Sequence, residues 1–315
     1  MVKISIALFG LQEWFGGDFL PVIDLVRAAD EAGIDQVNVT DHVILGQGTE
    51  NYPYGKFAAQ TNEYPFYEPI SVLSALAAVT KNIRLSSGIV IAPLRPAVLL
   101  AKQLATLDVL SNGRVDIGLG VGWLQKEYEA AGIPWEGRFT RLEEQARVCK
   151  LLWTTSPADY HGTTVDFTGV YCHPRPIQSG GMPIWFGLAP TDRNFARIAE
   201  VGDGWLPVEQ NPATIREHVA RLKSAFVAKG RDPSMLGIRA MAMPHYDNSE
   251  GLMNDFSENL SQSAPVSLRD TLTDVPALLD AGVTVIELFP AMFCKRAEDF
   301  GAFLDQVVEF KKSYT

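Results

Sequence analysis

Short apolar runs and longer amphipathic runs take turns along the whole chain. Apolar residues cluster, or alternate with a period of two, over residues 4–9, 34–40, 83–91, 115–121, 183–187, 204–207, 236–243 and 283–289, which predicts strands. Between and after them, residues 19–32, 68–80, 97–110, 139–153, 191–201, 213–229, 275–281 and 297–311 place apolar side chains at helical spacing. Repeated β/α units predict a parallel sheet covered by helices. A doubly wound open sheet and a closed (β/α)8 TIM barrel both satisfy this pattern. Three stretches exceed plain turns and read as insertion loops after strands 2, 4 and 7. Residues 43–67 hold Tyr52, Tyr54, Phe57, Tyr64, Phe66 and Tyr67; residues 154–181 include TVDFTGVYCHPRP, whose alternation predicts a small hairpin; residues 244–265 are polar.

The fourth strand is the most informative. Val115, Ile117, Leu119 and Val121 alternate with Asp116, Gly118, Gly120 and Gly122, so one face is apolar and the other nearly bare. A glycine face fits either a tight bend with close backbone approach or a flat ring lying across the strand end.

Composition narrows the class of molecule. The 315 residues suffice for one barrel, which takes about 250 residues or more, so residues 1–315 are expected to form a single domain. A net charge of -10 with pI near 5.0 argues against nucleic acid or an anionic membrane as the main partner. The three cysteines, Cys149, Cys172 and Cys294, are odd in number and lack CxxC spacing, which speaks against a disulfide framework or zinc site and for the reducing cytoplasm. Neither a leader pattern nor a run near ~20 apolar residues is found.

Several words of the sequence carry a resemblance. GVGW, EYEAAGIPWEGR and RLEEQARVCKLLW, together with TDH at 40–42, SSGIVIAPLRPAVLLAKQLATLDVLSNGR from Ser86, MPIWFGLAPT from Met182 and GDGWLP from Gly202, resemble the bacterial luciferase-like flavin oxidoreductases, especially the branch that uses coenzyme F420. The resemblance spans most of the chain in the expected order. It implies the closed (β/α)8 barrel and the ring reading of the glycines, with Gly120 and Gly122 on the cofactor side.

Candidate chemistry gathers at strand ends, where a parallel barrel builds its active site. Asn38, Thr40 and His42 share one phase of the second strand, so His42 is expected to face the lumen. The resemblance places this histidine beside the reactive carbon of the ring as the catalytic group, with Asp41 flanking the cofactor. It also places a bulge with a non-prolyl cis peptide at Gly88 and Ile89, behind the ring. Gly187, Leu188, Ala189, Pro190 and Thr191 lead into a helix whose open amides suit a phosphate or ribityl group. Trp123 stands where the sugar-phosphate and alcohol dehydrogenases of the family carry a glutamate, so no glutamate proton donor carries over there; Trp123 is expected to wall the substrate pocket or cap the core. Trp14 (with Glu13) and His245 are further substrate-side candidates. Arg239 and Glu287 read as a structural ion pair in the lumen. His161, His173 and His218 have no metal-like spacing with acids, so no metal is expected.

The expected function is hydride transfer between coenzyme F420 and a small, fairly apolar molecule. The alternatives are an FMN-dependent monooxygenase using reduced flavin and oxygen, and a non-catalytic flavin-binding barrel. A homodimer through residues 72–79 or 99–110 is a possible assembly.

Overall fold

In a computed structural model, which describes residues 2–53, 63–243 and 266–314, the strands form one closed parallel sheet. Around the barrel run β1 (Lys3–Ala7), β2 (Gln36–Val39), β3 (Arg84–Ser87) with its continuation β4 (Val90–Ile91), β5 (Val115–Gly120), β8 (Ile184–Phe186), β9 (Gly204–Trp205), β10 (Gly237–Met241) and β11 (Val285–Leu288). Pairing of β1 with β11, Lys3 opposite Val285, closes the ring. This closure removes the open-sheet alternative. β6 (Ala158–His161) and β7 (Asp166–Val170) pair antiparallel outside the barrel as the expected hairpin.

The outer layer comprises α1 (Leu20–Ala32), α2 (Pro69–Val79), α3 (Ala97–Leu110), α4 (Gln125–Ala131), α5 (Arg138–Thr154), α6 (Asp192–Val201), α7 (Pro212–Ala228), α8 (Leu268–Leu272), α9 (Val275–Asp280), α10 (Pro290–Phe293) and α11 (Phe300–Lys312). The short helices α4, α8 and α10 were not expected. Too few turns are present in them for an apolar period to show. Of the two apolar stretches considered for assembly, the one on α2 turns Val72, Leu73 and Leu76 inward, whereas Val98, Leu99, Val109 and Leu110 of α3 are exposed. Among the described residues no helix is long and apolar enough to cross a membrane.

The third strand, expected over 83–91 with a bulge and a non-prolyl cis peptide at Gly88 and Ile89, divides at a cis Gly88–Ile89 peptide as the resemblance implied, and this break explains the bare face of β5. A Cβ on Gly118 would lie 2.1 Å from the Ser87 carbonyl oxygen, and one on Gly120 would lie 2.7 Å from the Ile89 side chain. The hollow expected to take a ring at Gly120 is therefore filled by the neighbouring bulge.

Within the lumen a polar chain rises from the strands' starts. Arg84 donates to Asp116 (2.5 and 2.6 Å), as does Gln36 (2.9 Å), and Gln36 accepts from Arg239 (2.8 Å). Trp185 shares the interior: Cβ atoms on Gly204 and Gly237 would stand 2.3 and 2.2 Å from its ring. The expected Arg239–Glu287 pair is present at 3.5 Å, and both residues are buried.

Candidate active site

At the carboxyl ends of the strands lies a cavity of about 550 Å³, within the range of small-molecule and cofactor sites. Asn38, Thr40 and His42 all line it, as the two-residue phase of the second strand requires. Phe9, Tyr52, Phe66 and Trp123 give it an aromatic wall.

His42 is held by a residue to which the sequence reading gave no role. Its Nδ1 lies 3.1 Å from Oε2 of Glu127, whose other oxygen accepts the Val43 amide at 2.8 Å. The Glu127 carboxylate is fully buried, and the histidine side chain is 8% exposed. Two contacts on one carboxylate fix the imidazole relative to the end of β2, and a carboxylate partner also favours a proton on Nδ1. Around the ring, Phe66 and Trp123 present edges at 4.7 and 5.7 Å, and Tyr52 packs on Trp123 at 5.0 Å. Trp123 thus belongs to the cavity wall.

Asp41 borders the cavity, but its oxygens serve the scaffold. Arg95 donates to it at 2.6 and 3.1 Å, and the Ile91 amide at 2.8 Å. Burial alone would lower the Arg95 pKa; Asp41 and Glu68 outweigh burial and raise it. The Ile91 amide bond ties the end of β2 to the strand resuming after the cis peptide, and the Arg95 ion pair ties it to the turn beyond. Gly88 and Ile89 both face the cavity. A Cβ on Gly88 would meet Asn38 Nδ2 at 2.5 Å and Arg239 Nη2 at 2.8 Å, so the lumen's polar groups demand glycine there.

The remaining candidates divide. Gly122 and Gly187 line the cavity, whereas Gly120, Leu188, Ala189, Pro190 and Thr191 do not. The Thr191 side chain caps α6 by accepting the Asn194 amide at 3.2 Å, and the first turn already carries an acid, Asp192. Trp14 packs toward Phe300 at 6.3 Å, outside the cavity wall. Burial raises the pKa of neighbouring Glu13. His245 and the loop 244–265 fall outside the described residues, as do Tyr54 and Phe57. His161 pairs with Asp166 on the exposed hairpin, and His218 packs against Phe195 and Trp205. Among the described residues no group of three or more His, Cys, Asp or Glu could hold a metal. Besides Glu127, the sequence reading missed Trp135 and Arg138 in the wall. All three lie in EYEAAGIPWEGR, residues 127–138, a stretch beyond the strand end whose side chains meet the cavity only through the fold.

Residues 12–270 match the family model for luciferase-like monooxygenases. Over 245 residues the chain is 35% identical to an FMNH2-dependent dimethylsulfone monooxygenase of Pseudomonas putida, covering 76% of this chain and 62% of that enzyme. The chain spans under two thirds of the length of the first curated relatives it matches. Among solved structures, monooxygenase RslO1 from Streptomyces bottropensis superposes with TM-score 0.78 at 22% identity, over 99% of this chain and all of that one. The coenzyme F420-dependent tetrahydromethanopterin reductase of Methanopyrus kandleri gives 0.68 at 20% identity, over 91% and 93%. At such identities the superpositions speak for the fold.

Proposed function

Because the chain belongs to the luciferase-like monooxygenase family, we propose that it moves hydride between coenzyme F420 and a small, largely apolar organic molecule. The observation that carries this reading is the buried Glu127 carboxylate fixing Nδ1 of a cavity-lining histidine. The cavity fits a ring cofactor: Gly88, Gly122 and Gly187 bring backbone to its wall, with Ile91 packed against Gly122 and Ile89 against Gly187. Gly88, Ile89, Gly122, Gly187 and the edge at Asp41 would hold the group. Bound there, a deazaflavin supplies hydride acceptance or donation at its ring.

The chain's own residues supply the rest. With Nδ1 engaged by Glu127, proton exchange with a ligand falls to Nε2 of His42, and the carboxylate offsets positive charge on the ring whenever Nε2 holds a proton. Phe66, Trp123 and Tyr52 exclude water from that side, which strengthens each electrostatic contact within. The small apolar reactant would lie against these rings.

A second reading, reduced FMN with oxygen, draws support from the 35% identity to the FMNH2-dependent enzyme. Anaerobic titration with F420 and with FMN, followed by oxygen-consumption assays, separates the two. Under the favoured reading, F420 binds at micromolar concentration, oxygen is not consumed, and His42→Ala lowers turnover by about 10²–10⁴-fold with cofactor affinity retained. Cofactor binding without any turnover to lose would instead mark a non-catalytic barrel.

A further inference from the structure

The acids that line the cavity have basic partners: Asp41 holds Arg95, and Glu287 faces Arg239. Arg138 also lines the cavity, yet among the described residues it forms no ion pair. Its Nη1 reaches the Trp135 carbonyl at 3.4 Å, and its Nε is buried without a hydrogen-bond partner. Aromatic faces fix its plane, for the guanidinium carbon lies 3.6 Å from the Trp135 ring centroid and 5.0 Å from that of Phe139. Stacking of this kind leaves the in-plane N–H donors available at the edge.

Its position makes the absent ion pair more telling, since Tyr128 and Glu136 favour its charge without bonding to it and Arg141 opposes it. Arg138 is the first residue of the 17-residue α5, whose cap is Gly137, with no side-chain capping bond and no acid in the first turn. A cation there meets the positive end of the helix dipole. Arg141, one turn on, braces the preceding loop through the carbonyls of Pro134 and Glu136 and adds to the positive field. Burial pulls the Arg138 pKa below its ordinary value. In a chain of net charge -10, an anionic ligand needs such a local cation to overcome the overall field.

The geometry points to Arg138 as the receptor for an anionic oxygen group, phosphoryl or carboxylate, on the molecule that fills the cavity. Arginine's planar fork suits either group bidentately. Because it assigns a subsite of the proposed cofactor and substrate cavity, the inference rests on that reading. The start of α6, expected from the sequence to take phosphate, is already capped by Thr191 and carries Asp192.

Two sources of the anion are separable. Binding of FMN is compared with riboflavin, and of F420 with its phosphate-free ribityl deazaflavin core, in wild type, Arg138→Gln and Arg138→Lys. If the anion is the cofactor's phosphate, Arg138→Gln weakens the phosphorylated ligand by about 10- to 100-fold, the loss of one charge-assisted contact. The core is unaffected, and Arg138→Lys, which keeps the charge and serves as the folding control, recovers part of the loss. If phosphate preference survives, the cofactor-loaded protein is titrated with inorganic phosphate while its thermal midpoint is read. A rise that Arg138→Gln abolishes assigns the anion to the substrate. No dependence on Arg138 in either arm overturns the inference. A wild type that takes no cofactor but is still stabilised by phosphate through Arg138 sinks the proposed function and leaves the receptor standing; one stabilised by neither sinks both.

Discussion

Glu127 illustrates how one side chain can govern another's chemistry without touching a ligand. Its carboxylate positions His42 and anchors the Val43 amide, so Glu127→Gln keeps shape while removing charge. Turnover should fall about tenfold or more, with KM and the thermal midpoint nearly unchanged. A parallel rise in KM would show instead that the residue shapes the binding site. Gly237 makes a different demand, because any Cβ there would stand 2.2 Å from the Trp185 ring. Gly237→Ala should destabilise the barrel by about 1–3 kcal/mol in urea melts, and Trp185→Leu in the same chain should recover part of it. An unshifted midpoint would mean the indole can move aside freely.

Between elements, buried charges tie helices to the strands they precede. Asp30, near the end of α1, accepts the amides of Lys81, Asn82 and Ile83 at 2.6, 2.9 and 2.7 Å, holding the turn from α2 into β3. Arg114, just before β5, donates to the carbonyls of Ala77, Thr80 and Ile83, satisfying the end of α2 from the other side. Burial opposes ionisation of Asp30, but those amides, with the charge of Arg114, outweigh it and lower its pKa. A carboxyl whose folded pKa is depressed stabilises fully above its unfolded value, about 3.9, and this contribution fades as pH falls through the folded value. Asp30→Ala should thus lower unfolding free energy by roughly 3 kcal/mol at neutral pH, and the gap to wild type should narrow below pH 4. A gap that stayed constant into acid would contradict the charge assignment.

Over the whole molecule, the parts legible in sequence were those with a short repeat. Strand and helix order followed from periods of two and 3.6, and the cavity-facing phase of Asn38, Thr40 and His42 from the first of these. What escaped depends on distant meetings. Glu127 finds His42 across 85 positions from a helix of seven residues, too short to declare a face. The bare face of β5 looked like room for a ring because nothing local says that Ile89, some thirty residues earlier, fills it. Arg138 passed for one basic residue among many, since its isolation shows only once every acid around the cavity has been matched. Closure of the ring, a contact between the chain's first and last strands, has no local period either, and the sequence announced it through the family resemblance alone.

That seam has a practical result. Oδ2 of Asp35 accepts the Ile4 amide at 2.7 Å and the Lys311 ammonium at 2.6 Å, so the first strand and the last helix are buckled to one atom. Order along the polypeptide is thereby separable from order around the cylinder. A circular permutant that joins the present ends through a short glycine linker and opens at exposed Ser234 should fold to the same shape, and its ligands should meet an unaltered mouth.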